Sequence, residues 1–204
     1  ATIVLMFLMF DNFLNGSGKN IITRGEGLVL LSILAIYIYS LLLTAKKEKR
    51  LTTEKHKLTT KDILMLVLGL IAVVLGGETV VKSAQTIAIN WGISETLVGL
   101  TIVSLGTSLP ELVTSVMAVK KGETDIAIGN VIGSNIFNIL FVIGLSSSVA
   151  SLPVNYQSLI DIVILLGVSI MCYIFTCFNS RIGNKKGFIM VMTYIAFMVY
   201  IIIR

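Results

Sequence analysis

The chain has 204 residues, of which 55% are hydrophobic and 13% charged, with a formal net charge of +5 and a mean hydropathy of +0.95. A soluble domain carries about 25% charged residues, so this composition excludes a water-soluble globular protein and predicts a polytopic protein surrounded by membrane lipid. The basic residues lie in short segments between apolar runs, so we expect no nucleic-acid partner.

The apolar runs predict an all-α bundle of transmembrane helices. Residues 1–14 are interpreted as the end of one helix, and a full span is expected from about Gly27 to Thr44, close to the roughly 20 residues that a crossing needs. The first run is too short to cross a membrane and no initiator methionine precedes it, so we expect a fragment of a longer protein. Residues 1–44 are therefore interpreted as the end of a preceding half.

A basic linker at 45–61 is predicted to join that part to a membrane region at 62–204. Within this region, five spans are expected at 62–90, 95–119, 124–150, 158–178 and 187–203. Ser94 is the expected N-cap of the second span. In the first span, Glu78 and Lys82 have the i,i+4 spacing of a helical ion pair.

Lys and Arg are concentrated in alternate loops, and this pattern predicts how the protein is oriented in the membrane. With the loop at 46–61 in the cytoplasm, the loops at 120–121 and 181–186 lie there too, and twelve of the 16 basic residues are then inside. The positive-inside rule therefore predicts a multi-pass protein of the cell (inner or plasma) membrane with these loops cytoplasmic.

The stretch 106–111 interrupts the second of these five spans with a proline followed by a carboxylate. Pro110 has no N–H to donate to the carbonyl of Gly106, so the helix is expected to break there. Glu111 adds an ionisable group at membrane depth, where such groups are rare and usually functional. Ser104, Thr107 and Ser108 lie at helical spacing beside it, and together these oxygens suit a hard cation such as calcium or sodium.

A second polar group follows in the next span. Asn130, Ser134 and Asn138 are four residues apart and are expected on one helix face, where Gly129 and Gly133 leave room for a close neighbour. Alone, this pattern is typical of helix packing. After the preceding Pro-Glu break it predicts a second interrupted helix and an ion site at the membrane midplane.

These residues resemble an alpha-repeat of the calcium/cation antiporter superfamily, close to prokaryotic sodium/calcium exchangers. The repeat covers about 92–144, and its signatures are Gly-Thr-Ser-Leu-Pro-Glu at 106–111 and Gly-Asn-x-x-Gly-Ser-Asn-x-x-Asn at 129–138. The resemblance implies ten helices in two inverted halves, each contributing one pair of broken helices to a shared cation site. This chain would then be one half of an inverted-repeat antiporter.

The resemblance also implies ligand roles. Glu111 would be the main calcium-coordinating carboxylate, and Thr107 and Ser108 would supply further ligands. The carbonyl near Ser104, where relatives commonly have alanine, would serve sodium. The ligands from the following helix would be Ser134 and Asn138. Calcium and sodium are then the transported ions, and no organic cofactor is expected.

Asn138 departs from the pattern of some relatives, including potassium-dependent exchangers, which have aspartate at this position. Its neutral side chain lowers the negative charge of the site and argues against potassium cotransport. Each signature also occurs only once. One carboxylate cannot balance calcium at membrane depth, so a second is expected from a complementary half, either in the same full-length chain or in a second copy. Because the basic residues are concentrated on one predicted side of the membrane, a second copy in the opposite orientation is not favoured. The second carboxylate is therefore expected from the same full-length chain.

The favoured function is antiport of calcium against sodium by alternating access. A calcium/proton antiporter of the same superfamily is the nearest alternative, and a cation channel is a more distant one. An enzyme is not expected, because the only histidine, His56, lies in a charged loop and Glu111 has no catalytic companion. A purely structural membrane protein would leave Glu111 unexplained.

Overall fold

Helices account for nearly all residues in the computed structural model, which describes residues 1–15, 20–51, 59–177 and 183–203. The predicted loop positions of His56 and Arg181, and most of the turn expected at 15–18, lie outside the described residues. The helices are α1 (Thr2–Asn15), α2 (Arg24–Leu51), α3 (Thr60–Asn90), α4 (Glu95–Val98), α5 (Ser104–Thr107), α6 (Leu109–Lys120), α7 (Thr124–Phe137), α8 (Gly144–Val149), α9 (Tyr156–Cys177) and α10 (Asn184–Ile203).

Two π-helical turns interrupt this pattern. Gly99–Val103 lies between α4 and α5, and Asn138–Ile143 joins α7 to α8. The second of them corrects a prediction: the span that was expected to be interrupted stays helical from Thr124 to Val149. A π turn replaces bonds between residues four apart by bonds between residues five apart, so the helix widens locally and the span remains continuous.

The predicted all-α membrane bundle is confirmed. Five helices within the described residues are long and apolar enough to cross a membrane, and the number rises to six when the bent pair Thr101–Thr107 and Leu109–Lys120 is counted as one span. Because a bilayer leaves no water for unpaired backbone groups, helices satisfy these groups internally. The exposed leucine, isoleucine and valine side chains along these helices are those that lipid would cover.

Local capping explains where several helices begin. The N–H of Thr59 donates to Asp62 Oδ2 at 2.8 Å, so α3 begins at Thr60, slightly before its predicted start. Ser94 Oγ accepts the N–H of Leu97 at 3.3 Å, which confirms the predicted N-cap. Helix α2 continues beyond its predicted end at Thr44 to Leu51, because Lys, Glu and Arg are good helix formers in water.

The described chain divides into two units, and the first comprises Ala1–Thr53 and Gly133–Met190. Its core is a cluster of apolar side chains from α1, the connection before α2, α2 itself, α9 and the second π turn: Leu5, Met9, Ile22, Leu30, Leu34, Ile139, Leu140, Leu159 and Ile162. Helix α2 packs closely on α8, where Ser147 is fully buried and donates to the carbonyl of Ile143 at 2.7 Å. This internal hydrogen bond lets a hydroxyl lie in an apolar contact.

A short antiparallel pairing joins two connections of the first unit. Strands β1 (Ile21–Ile22) and β2 (Leu152–Pro153) pair in the register Ile21 with Pro153. This pairing was not expected from the sequence. It requires the start of α2 and the end of α8 to lie on the same side of the membrane, in agreement with the predicted alternation of crossings.

Gly27 is expected to be essential for the contact of α2 with α8. A Cβ at this position would lie 2.6 Å from the N of Ser148 and 2.7 Å from the O of Gly144. Backbone atoms cannot move aside cheaply, so Gly27→Ala should destabilise the protein by about 1–3 kcal/mol or more. Thermal unfolding in detergent measures this effect.

Gly25→Ala is the matched control, because nothing among the described residues lies within 4 Å of its Cβ position. Equal melting temperatures for Gly27→Ala and Gly25→Ala would contradict the packing explanation.

The second unit comprises Glu54–Ile132 and Val191–Arg204. Its long helix α3 packs against the π turn at Gly99–Val103 and against α5 and α6. Gly106 is buried there, and Val81 of α3 occupies the space that a Cβ at Gly106 would need. Gly77 of α3 lies against Pro110: a Cβ added at this glycine would be 3.8 Å from Cδ of the proline. Two glycines thus allow α3 to approach the break closely.

Candidate cation site

The helix break lies at Ser108, between α5 and α6. The two segments meet at 47°, and Ser108 has φ −95° and ψ −1°. Pro110 occupies the first turn of α6, where its missing N–H costs least. Ser108 bridges the break by donating to the carbonyl of Leu105 at 3.1 Å and accepting from the N–H of Leu112 at 3.0 Å. The predicted break is therefore confirmed.

Glu111 lies in the first turn of α6, immediately after the break. Its side chain is partly buried, and its Oε2 atom is buried without a hydrogen-bond partner among the described residues. A buried carboxylate oxygen without a donor costs free energy, about 1–3 kcal/mol or more. A bound cation would remove that cost, because an ion supplies the positive charge that no side chain of the described residues provides here.

Hydroxyl and carbonyl oxygens lie next to this carboxylate along the chain. Thr107 Oγ1 donates to the carbonyl of Ser104 at 2.9 Å, which leaves the lone pairs of the threonine oxygen available to a ligand. Ser104, Thr107 and Ser108 are all exposed. The break therefore presents oxygen atoms of the type that calcium and sodium prefer.

The side chain of Asn130 in α7 links that helix to this region. Its Nδ2 has three acceptors within reach of its two N–H groups: the backbone carbonyl of Glu111 at 3.0 Å, Thr114 Oγ1 at 2.9 Å and Ser115 Oγ at 3.0 Å. One of the two N–H groups is therefore shared between two acceptors. The spacing of Asn130, Ser134 and Asn138 predicted a shared polar helix face, and no ligand role was expected for Asn130. Its i,i+4 spacing to Ser134 was the available signal, but the spacing does not identify the helix that the face contacts.

Two of the predicted ligands belong to the other unit. Ser134 is partly buried in α7, and Asn138 is exposed at the start of the second π turn. The structure groups Ser104, Thr107, Ser108 and Glu111 in the second unit, while Ser134 and Asn138 fall in the first. Their shared role as ligands stays a prediction.

The packing predicted for the glycines of α7 is not observed within the described residues. A Cβ built at Gly129 or at Gly133 meets nothing within 4 Å. The π turns, which sequence reasoning missed, lie directly before Ser104 and directly at Asn138. Such turns occur frequently at functional sites, because they shift side chains out of the regular helical register.

A complete calcium site is not formed by the acidic residues of the described chain. No group of three or more His, Cys, Asp or Glu side chains there is placed to hold a metal ion. The predicted ion pair between Glu78 and Lys82 is confirmed, with 2.6 Å between Oε1 and Nζ. Glu111 is thus the carboxylate that the break itself presents, and a second must come from elsewhere to balance a divalent cation.

Comparison with known proteins identifies the family that the chain is similar to. Residues 61–203 match the sodium/calcium exchanger protein family. The sodium/calcium exchanger MaX1 of Methanosarcina acetivorans is 40% identical over 140 residues, which cover 68% of this chain and 40% of that protein. An uncharacterized membrane protein of Methanocaldococcus jannaschii is 32% identical over 193 residues, covering 94% of this chain and 63% of the relative.

A solved structure is similar over nearly the whole chain. The sodium-calcium exchanger NCX_Mj, soaked with zero Na⁺ and Ca²⁺, superposes with a TM-score of 0.71 at 32% identity, covering 97% of this chain and 64% of that one. The chain thus spans between two fifths and two thirds of the length of these relatives. The family match, the identities and the shared fold lead to one conclusion: the chain belongs to the sodium/calcium exchanger protein family.

Proposed function

We propose that this chain is one half of a secondary antiporter that exchanges calcium for sodium by alternating access. The observation that carries the proposal is the buried Oε2 of Glu111, which has no partner among the described residues and follows directly on the Pro110 break. Membership of the family and the names of its relatives support cation exchange.

In this proposal, Glu111 binds calcium as the main carboxylate, and Thr107 and Ser108 add oxygen ligands. The carbonyl of Ser104 serves sodium, and Ser134 and Asn138 contribute from the next helix. The complementary half, with the other alpha-repeat, supplies the second carboxylate. Calcium and sodium compete for the same oxygens, so binding of one set of ions releases the other, and this competition couples the two fluxes.

The membrane depth of the site explains why exchange is obligatory in this proposal. An empty carboxylate site exposes uncompensated charge to a low-dielectric environment, which costs several kcal/mol. The protein with an occupied site therefore changes between its inward-open and outward-open states more readily than the protein with an empty site. The basic loops at 46–61, 120–121 and 181–186 are proposed to face the cytoplasm.

Flux measurements in vesicles test the proposal. The full-length protein that contains this chain should take up radioactive calcium when an opposing sodium gradient is present, and a pH gradient alone should not drive uptake. Uptake driven by protons without sodium would identify the calcium/proton antiporter instead. Flux that persists without any counter-ion would identify a channel.

The neutral Asn138 leads us to propose that potassium is not cotransported. Replacing external potassium by choline should leave the rate of sodium-driven calcium uptake unchanged. A rate that depends on potassium would contradict this part of the proposal.

A further inference from the structure

Two adjacent lysines in the first turn of α10 have different surroundings. Lys186 is half-buried, and its Nζ donates to the backbone carbonyl of Phe175, in the last turn of α9, at 2.6 Å. The same Nζ lies 5.7 Å from the centre of the Phe175 ring. Lys185 is exposed. Successive residues of a helix point about 100° apart, so Lys185 faces away from this contact with α9.

The charge of Lys186 is compensated within the hairpin of α9 and α10. The last carbonyl groups of a helix have no donor in their own helix, and the macrodipole places partial negative charge there. The Lys186 ammonium supplies both a donor and the opposite charge to the carbonyl of Phe175. Lys186 therefore joins the ends of the two helices, and Lys185 is the lysine whose charge is directed outside the hairpin.

The sequence provides no acidic residue near Lys185. Asp and Glu are absent between residues 162 and 204, although this segment contains four basic residues. The basic turn at 120–125 differs, because it also contains Glu123 and Asp125. Within the part of the chain that the structure describes, no ion pair involves Lys185. An anion that compensates its charge must therefore come from outside this segment.

Lys185 lies beside apolar side chains that face outward. Phe188 and Ile189 follow it at i+3 and i+4, the spacings of neighbours on a helix surface, and are 66% and 47% exposed. Helix α10 is long and apolar enough to cross a membrane, so lipid chains would cover these two residues. A lysine in such a position packs its stem on apolar atoms and extends its ammonium toward the membrane surface.

Exposed aromatic rings mark the depth of this membrane surface. Tyr173 lies four residues before the end of α9, and Phe188 lies four residues after the start of α10, so both are about 6 Å from the helix ends. Tyr173 is 70% exposed, and tyrosine is enriched at the headgroup level of membranes. Lys185 is one turn nearer to the helix end than Phe188, which places its ammonium at the depth of lipid phosphates.

We propose that Lys185 binds the phosphate of an anionic phospholipid, and that Lys185, Phe188 and Ile189 form a lipid-anchoring surface. Charge complementarity identifies the partner: an exposed lysine without a local carboxylate fits a negatively charged headgroup, and the apolar residues beside it fit the acyl chains. Lys186 holds the hairpin in the shape that presents Lys185. The inference is independent of the proposed exchange function, because no transported cation takes part in it.

Fluorescence quenching by brominated lipids tests the contact at this surface. The full-length protein that contains this chain is reconstituted with a Phe188→Trp reporter, and the signal without the reporter is subtracted. Brominated phosphatidylglycerol should quench the added signal more strongly than brominated phosphatidylcholine. The relative binding constant should favour the anionic lipid about fivefold, the preference expected of one lysine near an anionic surface. In Phe188→Trp with Lys185→Gln, this preference should fall to about one.

Charge-conserving and distant substitutions are the controls. Lys185→Arg should keep the preference for the anionic lipid, and high ionic strength should reduce it. Lys121→Gln is the matched control, because it removes an exposed lysine whose own turn contains two acidic residues, and it should leave the preference at the reporter unchanged. Equal quenching by both lipids in the presence of Lys185, or a preference that survives Lys185→Gln, would overturn the proposal.

Melting temperatures distinguish the roles of the two lysines. Without anionic lipid, Lys186→Gln should melt at a lower temperature, because the carbonyl of Phe175 loses its donor, whereas Lys185→Gln should melt like the unmodified protein. Phosphatidylglycerol should raise the melting temperature of the unmodified protein more than that of Lys185→Gln, since stabilisation by a ligand follows its affinity. A lower melting temperature of Lys185→Gln without anionic lipid would instead indicate a carboxylate partner in the complementary half and would contradict the lipid contact.

Discussion

Replacing Glu111 by glutamine is expected to weaken calcium binding strongly and to abolish sodium-driven calcium uptake. The substitution keeps the shape of the side chain but removes the negative charge of the carboxylate, whose Oε2 is buried without a partner among the described residues. Removing one partner of a buried charge pair costs about 2–5 kcal/mol, which corresponds to roughly 30- to 4,000-fold weaker binding. Equilibrium binding of radioactive calcium and vesicle flux measure the loss.

Glu123→Gln is the matched control, because Glu123 is exposed in the turn before α7. It should bind and transport calcium normally. Glu111→Gln should also fold normally, because the neutral amide removes the cost of an unpaired charge, and its melting temperature without calcium should not fall. Calcium binding by Glu111→Gln at the affinity of the unmodified protein would remove this residue from the site.

Replacing Asn130 by alanine is expected to weaken calcium binding by about 10- to 100-fold, the usual effect of losing a residue that orients a metal ligand. The Asn130 amide connects α7 to the backbone of Glu111 and to Thr114. Without these hydrogen bonds, the first turn of α6 is no longer tied to α7. The KM for calcium should rise much more than the maximal rate falls, and kinetic measurements separate the two.

A positioning role differs from a purely stabilising one in its effect on ligand-linked stability. For Asn130→Ala, the rise in melting temperature on adding saturating calcium should shrink, since ligand stabilisation follows affinity. Asn130→Asp, which keeps the shape but removes both N–H donors, should be at least as defective. Asn90→Ala, at the exposed end of α3, should leave the calcium-dependent rise unchanged. A lower melting temperature with an unaltered calcium-dependent rise would refute the positioning role.

Features that depend on one residue and its immediate neighbours were predictable from the sequence. The break follows from the missing N–H of Pro110, a covalent property that no tertiary contact can restore. The cap at Ser94 and the ion pair of Glu78 with Lys82 depend on separations of three and four residues, which helical geometry brings together. All three are observed where they were expected.

Features that depend on which helix faces meet were not predictable in the same way. Asn130 could have been assigned to any neighbour, and its link to Glu111 appears only when α7 packs beside α6. The contacts of Gly27 with Ser148 and of Gly106 with Val81 join residues far apart in the chain. The pairing of β1 with β2 is of the same kind.

The sequence by itself thus determined a membrane protein with a proline-broken span, a carboxylate beside the break and the signatures of an exchanger repeat. Only the tertiary structure decided that Asn130 holds the turn of Glu111 and that Lys186, rather than Lys185, contacts the end of α9. The physical reason lies in the helices themselves. They are apolar on nearly every face because lipid surrounds them, so their hydrophobic pattern does not indicate which side turns toward a neighbouring helix.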